Sequence, residues 1–473
     1  MNSLNTNIVA TNSDLELAEH NQTEMLEGKH DSMIAELIIK EHGENIVFDN
    51  SKKQWRVFSN GSWIGTEDAR RMLIAFHKEI ISNIADYKYP HLNIVDEKWL
   101  SSAMNTSKIA AVRKIVEEEK ALSMDKLDAD HNLIGIQDQV YDIAKGSSRP
   151  ALASDLVMKS LGTTYDPDAK CPKWESFLKT SMQGDQEMID YLQRLVGYFL
   201  TASTQEQQIY YFYGTGANGK STFLDLVKTL LGNYGVKLSS DSFMKKRSGT
   251  LNLGAQASLA MLAGARLAIT DETGDDATFD AQMLKSISGD DEVTGRFLRS
   301  NPITFKSTAK VVMYGNDKPY GNINDEGFWR RFRFIHFGYV VPKADRDPNL
   351  LVKLKDELPG ILNWALTGLA DWREKNSLMT PQKVLDECEQ YKVDLDSVSE
   401  FLKENTEEKL GSRLPIKQLF ECYKEWCETN LKPAESKQGF SKRTAWYFDT
   451  HMKGKVKPFR TNKDRGYEGV QLC

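Results

Sequence analysis

The sequence predicts an α/β fold: a core of alternating strands and helices, a mainly helical domain before it and a basic helical domain after it. Three observations point there. Apolar strand-like runs at 208–214, 265–272, 309–316 and 332–339 are separated by stretches with helical spacing. The first of these runs leads straight into the glycine-rich turn GTGANGKS and then an amphipathic helix. A chain of 473 residues is also too long for one ordinary core.

Composition sets the class. Hydrophobic residues at 40% and charged residues at 27% describe a soluble globular protein. No apolar run approaches the ~20 residues that span a bilayer, so no membrane partner is expected. The first thirty residues are polar and acidic, without the basic start and apolar stretch of a secretory signal. They read as a disordered tail over 1–30, and the protein reads as cytoplasmic. Cys171, Cys388, Cys422, Cys427 and Cys473 are odd in number and form no CxxC pair, which argues against a disulfide framework and a structural zinc site.

The elements follow in order. A hairpin signal over 45–65 opens a mainly helical domain at 31–200, with helical spacing at 67–87 and 108–122 and a mixed strand and turn stretch at 127–150. Helices resume at 174–183 and at 186–203, the latter after the cap Asp185. The α/β domain covers 201–375. Its strands are 208–214, 265–272, 303–308, 309–316 and 332–339; one helix stops at Gly232 and another closes the domain at 354–375. Residues 376–473 read as three helices and a basic two-stranded end.

Chemistry concentrates in the middle. Gly214, Gly219, Lys220 and Ser221 satisfy GxxxxGK[ST] between a strand and a helix. In that pattern Gly214, Thr215, Gly216, Ala217, Asn218, Gly219, Lys220, Ser221 and Thr222 cradle the phosphates of ATP. Backbone N–H groups converge on the oxygens, Lys220 reaches the β- and γ-phosphates, and Ser221 ligates Mg²⁺. About fifty residues on, the run RLAITDE ends in Asp271, expected in the Mg²⁺ shell, and Glu272, expected to deprotonate an attacking water. The run AKVVMYGN delivers Asn316 at its tip, where an amide can position that water, although an asparagine in GND equally suits a plain turn. Arg330 and Arg331 follow between aromatics. They suit a finger reaching a neighbour's nucleotide or, more simply, a solvated strand edge.

In this order the P-loop, TDE, KSISGDDEVTGRFLRS, VVMYGN and GFWRRFRF resemble the superfamily 3 helicases, above all the phage, plasmid and poxvirus branch of primase–helicase proteins. The segment between TDE and VVMYGN carries Lys285, Gly289, Asp290, Asp291 and Arg296, with Ser288 where the family usually has a first glycine. The likeness covers roughly 45–473. It implies an AAA+ ATPase core forming rings, commonly hexamers, that move along single-stranded DNA, typically 3′ to 5′, and unwind forks. It also implies Arg331 as the finger, with Arg330 second, and a hairpin over 296–306 lining the central channel. Arg296, Arg299 and Lys306 would supply phosphate-tracking charge there, with Lys285 beside them and Phe297 and Phe305 packed beneath. Larger relatives carry a primase domain ahead of this region; the polar tail is too short for one, so no primase activity is expected.

The net charge of −6 hides a basic end: residues 431–473 hold ten Lys or Arg against four Asp or Glu. Helix, helix and basic hairpin look like a winged helix. Lys437, Lys442 and Arg443 would face DNA from the recognition helix, and Lys455, Lys457, Arg460, Lys463 and Arg465 from the wing. A solvated basic cap would show the same charges. Two functions remain: an ATP-dependent replicative DNA helicase of a phage, plasmid or mobile element, working in a bacterial host's cytoplasm, or an origin-binding initiator switched by ATP without processive unwinding. A small-molecule kinase does not need the Lys285–Arg296 segment, and a packaging motor would need a nuclease cluster.

Overall fold

The computed structural model of the chain describes residues 30–473 apart from 51–52, 66–68, 93–95, 124–125, 245–252, 273–278, 299–300, 317, 319–325, 395, 431, 433 and 463. The expected tail lies outside the described residues except for residue 30. The chain forms two compact units, one of residues up to Asp166 with Leu230–Tyr234, the other of Pro167–Thr229 with Gly235–Cys473.

The first unit is mixed rather than mainly helical. Helix α1 (Asp31–His42) leads to strands β1 (Ile46–Asp49), β2 (Gln54–Ser59) and β3 (Ser62–Gly65). Helices α2 (Ala69–Ala85), α3 (Glu97–Ala103) and α4 (Thr106–Glu119) follow, then β4 (Ala121–Leu122). The sheet runs β3-β2-β1-β4. Ile34, Leu37, Ile38, Phe48, Trp55, Leu73, Ile80 and Val116 form its core. Asp49 and Arg56 pair at 2.8 Å inside it. A three-stranded meander follows, of β5 (Leu133–Ile136), β6 (Gln139–Asp142) and β7 (Ser147–Pro150). His77, on α2, is 1% exposed and bonds the Ala103 carbonyl through Nε2 at 2.9 Å. Its ring borders a cavity of about 110 Å³ walled by aliphatic side chains including Leu73, Ile109 and Val112.

The second unit opens with α5 (Pro172–Ser181) and α6 (Gln186–Phe199), the latter capped by Asp185 accepting from the Met188 N–H at 3.1 Å. Its sheet strands are β8 (Ile209–Tyr213), β9 (Gly235–Leu238), β10 (Leu267–Glu272), β13 (Lys310–Gly315) and β14 (Phe332–His336). All five are parallel, in the order β14-β8-β13-β10-β9. Between them lie α7 (Lys220–Leu231), α8 (Leu253–Met261), α9 (Ala281–Ser288), the short α10 (Glu326–Trp329) and a separate antiparallel hairpin, β11 (Glu292–Gly295) with β12 (Ile303–Lys306). Two strand assignments therefore change. The run 303–308 pairs only in the hairpin, and β9, unmarked in the sequence by any strong apolar pattern, takes the sheet edge.

The boundary expected at residue 200 moves as well. Helix α12 (Leu358–Lys375), which follows α11 (Leu350–Lys355), packs along α6. Gly197 and Gly368 bring the two backbones together: a Cβ at Gly197 would lie 2.3 Å from the Leu369 nitrogen, and one at Gly368 2.1 Å from the Gln193 carbonyl oxygen. Arg194 adds an ion pair to Asp371 at 2.9 Å. An amphipathic helix advertises an apolar face but not its partner, which is why α5 and α6 read in sequence as part of the preceding domain.

Helix α13 (Gln382–Asp394) packs on β14, so it too belongs with the sheet rather than with the domain expected from 376. The C-terminal module begins at α14 (Ser397–Asn405) and continues through β15 (Thr406–Pro415), α15 (Ile416–Thr429), α16 (Lys437–His451), β16 (Lys457–Arg460) and β17 (Arg465–Leu472). Its sheet is antiparallel in the order β15-β17-β16. Phe401, Leu419, Tyr423, Phe440, Phe448 and Val470 build its core.

Candidate nucleotide-binding site

Strand β8 ends at Tyr213 and α7 begins at Lys220; the turn between them has positive φ at Gly214 (143°), Ala217 (59°) and Gly219 (84°). Such alternation turns successive N–H groups to one side, the shape of an anion nest. Gly214 is also sterically required, because a Cβ there would sit 2.3 Å from the Phe337 carbonyl oxygen. Gly219 lies over α5, where a Cβ would come within 2.8 Å of the Phe177 ring. Asn218 braces the loop, its Nδ2 donating to the carbonyls of Thr215 at 3.1 Å and Phe337 at 2.8 Å, and its Oδ1 accepting from the Lys220 N–H at 3.3 Å. The Val341 N–H donates to the Ala217 carbonyl at 2.9 Å. None of these supports from Phe177, Phe337 and Val341 was legible, since they come from distant segments.

Thr215, Gly216, Ala217 and Ser221 face solvent, and Thr222 is half-buried. Lys220 is only 4% exposed; its Nζ donates to the carbonyls of Gly214 at 3.2 Å and Gly315 at 2.5 Å. The ammonium therefore sits between the first residue of the loop and the end of β13.

Register gathers the other expected residues. Tyr213 lies opposite Gly315, and Tyr314 opposite Glu272, so β8, β13 and β10 end at the same edge of the sheet. Asn316 is exposed one residue beyond β13, and its carbonyl accepts from the Gly214 N–H at 3.2 Å. Asp271 and Glu272 are the last two residues of β10. The cradle, the acidic pair and the asparagine thus share one rim, assembled by strand order alone.

Helix α9 carries Lys285, half-buried, and is capped by Asp280, which accepts from the N–H groups of Gln282 and Met283. In the hairpin that follows, Arg296 and Lys306 are exposed, and the Thr294 and Thr304 hydroxyls meet across the strands at 2.9 Å. Arg299 lies outside the described residues. Of the two aromatics expected beneath the hairpin, Phe305 packs on the sheet's core, whereas Phe297 is exposed.

The arginine pair divides. Arg331 is 9% exposed, its Nη1 donates to the Gly327 carbonyl at 2.7 Å, and its Nη2 lies 3.9 Å from where a Cβ of Gly289 would be. Arg330 is exposed. Of the two finger candidates, Arg331 is thus bonded within its own chain and Arg330 faces solvent.

At the opposite end of the sheet, Arg266 and Lys310 donate to the carbonyls of Leu200 and Thr201 just past α6. Two cations there satisfy carbonyls at a helix C-terminus, the end a macrodipole makes negative. Burial, and then Arg266, push the Lys310 ammonium well below its ordinary pKa.

In the C-terminal module Lys437, Lys442, Lys457, Arg460 and Arg465 are exposed, with Arg460 opposite Arg465 across the hairpin. Lys463 lies outside the described residues. Two candidates are engaged within the chain. Arg443 pairs with the buried Asp396 and stacks on Trp446 at 4.0 Å, and Lys455 pairs with Glu408 at 2.7 Å. Arg443 thus positions α16 against α14 rather than facing solvent.

The fold is that of an α/β protein with a five-stranded parallel sheet. Three family models match the chain: D5 N terminal like over 35–183, a family of unknown function over 212–331, and Poxvirus D5 protein-like over 394–470. It is 28% identical over 335 residues to a candidate helicase of Acanthamoeba polyphaga mimivirus, covering 64% of this chain and 34% of that one. It is 26% identical over 248 residues to a candidate helicase of Frog virus 3, covering 48% and 25%. The chain therefore spans about a third or less of the length of these relatives. Among solved structures, the apo C-terminal region of NrS-1 aligns with a TM-score of 0.48 and 11% identity over 94% of this chain and all of that one. These matches support a place for the chain in the D5-like branch of the superfamily 3 helicases.

Among the described residues, no helix is long and apolar enough to cross a membrane.

Proposed function

We propose that this chain is an ATP-hydrolysing motor that separates DNA strands in replication of a phage, plasmid or other mobile element. The observation that carries the reading is the shared rim, where the ends of β8, β13 and β10 bring the phosphate loop, Asn316 and the Asp271–Glu272 pair to one edge. The cradle suits a nucleotide: positive φ at Gly214, Ala217 and Gly219 turns N–H groups together, and the loop's outer residues face solvent. MgATP supplies a phosphoanhydride whose hydrolysis releases the energy used.

The chain's own residues divide the work. Lys220 would exchange its two carbonyl partners for phosphate oxygens, and Ser221 and Asp271 would hold Mg²⁺. Glu272 would take the proton of a water that Asn316 orients. Arg330, exposed, would stabilise charge in the next subunit of a ring, commonly six copies, while Arg331 stays bonded to the Gly327 carbonyl. The β11–β12 hairpin would track the strand through Arg296, Arg299 and Lys306 with Lys285 beside it, moving 3′ to 5′.

A second reading, an origin-binding initiator, draws on the C-terminal module. Its order of helix, strand, helix, helix and hairpin is that of a winged helix, and Lys442, Lys457, Arg460 and Arg465 are exposed on the last helix and hairpin. One experiment separates the two: strand displacement from a fluorescent fork with ATP and Mg²⁺, wild type against Glu272→Gln. Displacement by the wild type only supports the motor. DNA-stimulated hydrolysis without displacement supports the initiator, and neither activity removes both.

A further inference from the structure

Two residues past Asn316, Lys318 sits in a cage of aromatic side chains. Its Nζ lies 4.8 Å from the ring centre of Tyr213, 4.7 Å from Tyr391 and 5.7 Å from Phe334. It also pairs with Glu387, whose Oε1 accepts a second bond from the Tyr213 hydroxyl at 2.5 Å. The Tyr391 hydroxyl in turn donates to the Lys318 carbonyl at 2.9 Å. The Lys318 side chain is 14% exposed, so this is a desolvated cluster rather than a surface pair.

The four partners come from three places that matter. Tyr213 is the last residue of β8, directly before the phosphate loop, and stacks on His336 at 4.7 Å. Phe334 belongs to β14, and Glu387 and Tyr391 to α13. Helix α13 is also tied to the sheet by Cys388, whose Sγ donates to the Phe332 carbonyl at 3.3 Å, and it runs on toward the C-terminal module. Burial alone would raise the Glu387 carboxyl, but the Lys318 ammonium and the Tyr213 hydroxyl outweigh it and hold it below the ordinary range. The carboxylate is therefore kept charged and acts as a fixed acceptor for both.

We propose that Lys318 is a positioning residue that joins the nucleotide rim to α13, so that occupancy of the phosphate loop is felt at the helix leading into the C-terminal DNA-binding module. This rests on the nucleotide reading of the loop, not on strand separation. Gly214 and Asn316 are bonded to each other, and each is flanked by a cluster member: Tyr213 before the loop, Lys318 after the asparagine. A phosphate that re-aims either backbone has to move an ammonium locked between three rings and a carboxylate. Such a cluster shifts as a unit, because its members cannot each be re-solvated separately.

The test is hydrogen exchange of the α13 amides in the full chain, with and without a non-hydrolysable ATP analogue and Mg²⁺, paired with a direct titration of the analogue. Wild type should show at least tenfold slower exchange in α13 on binding. Lys318→Met, which fills the cage without charge, and Glu387→Gln should bind the analogue within threefold of wild type yet lose that protection; Lys318→Arg should restore most of it. Unchanged protection in both variants overturns the proposal, and so does loss of analogue binding itself, which would make the cluster part of the cradle. Protection in a wild type that never separates strands keeps the proposal and removes the motor. A wild type that binds no nucleotide removes both.

Discussion

Asn218 donates through Nδ2 to the Phe337 carbonyl at 2.8 Å and so fastens the phosphate loop to the chain just beyond β14. Asn218→Ala leaves that buried carbonyl without its side-chain donor, at a cost of about 1–3 kcal/mol. The expected outcome is a lower melting temperature and roughly tenfold weaker nucleotide binding. Titration with a fluorescent ATP analogue, alongside thermal unfolding, reads both.

Lys220→Ala and Glu272→Gln should fail differently. The first removes the ammonium that meets phosphate and should lose nucleotide binding and hydrolysis together. The second keeps the cradle, so binding should persist while turnover falls by about 10²–10⁴, the usual contribution of a general base. Equal turnover in Glu272→Gln and wild type would take Glu272 out of the mechanism.

The two adjacent arginines should also separate. Arg330→Ala should fold normally, bind nucleotide and lose turnover, with activity returning when mixed with a subunit that supplies the arginine but lacks Glu272. Arg331→Ala should instead lower the melting point, since it strips the Gly327 carbonyl of a charged donor. A stable Arg331→Ala with selective loss of turnover would restore it as the finger.

DNA affinity measured against salt should assign the basic module. Replacing Lys457, Arg460 or Arg465 by alanine should each reduce the slope of log K against log salt by about one, if that side chain neutralises a phosphate. Arg443→Ala should behave otherwise, destabilising the module by about 3–5 kcal/mol because Asp396 is left buried without its cation. Chemical denaturation distinguishes that from a binding defect.

His77 predicts an acid-sensitive first unit. Burial lowers its pKa, with the Ala103 carbonyl and Asp31 only partly offsetting the effect. The unfolded chain therefore takes up the proton first, and the stability held by neutral His77 is complete above about pH 6.5 and lost as pH falls below it. A first-unit signal such as exchange of the α2 amides should weaken across that range, and His77→Gln should flatten the dependence.

Local chemistry was legible and distant pairing was not. The GxxxxGKS turn and the cap at Asp185 announce themselves because neighbours in sequence do the bonding. Alternation of strand and helix does carry one long-range consequence, since parallel strands joined by β–α–β connections end at one edge. What failed to show was anything depending on partners far along the chain. The edge strand β9, which pairs with β10, and the commitment of Arg443 to Asp396 are both of this kind. A charged side chain reads the same in sequence whether it points to water or to a buried carboxylate.

The glycine seam between α6 and α12 has a practical bearing on how the chain can be divided. A fragment starting at residue 201 would discard α5 and α6 and leave bare the surface around Gly368, Trp364 and Trp372, together with the underside of Gly219. One starting at 167 would keep the seam closed. For expression, crystallisation or transplanting the parallel-sheet module onto another protein, the natural cut therefore lies ahead of α5.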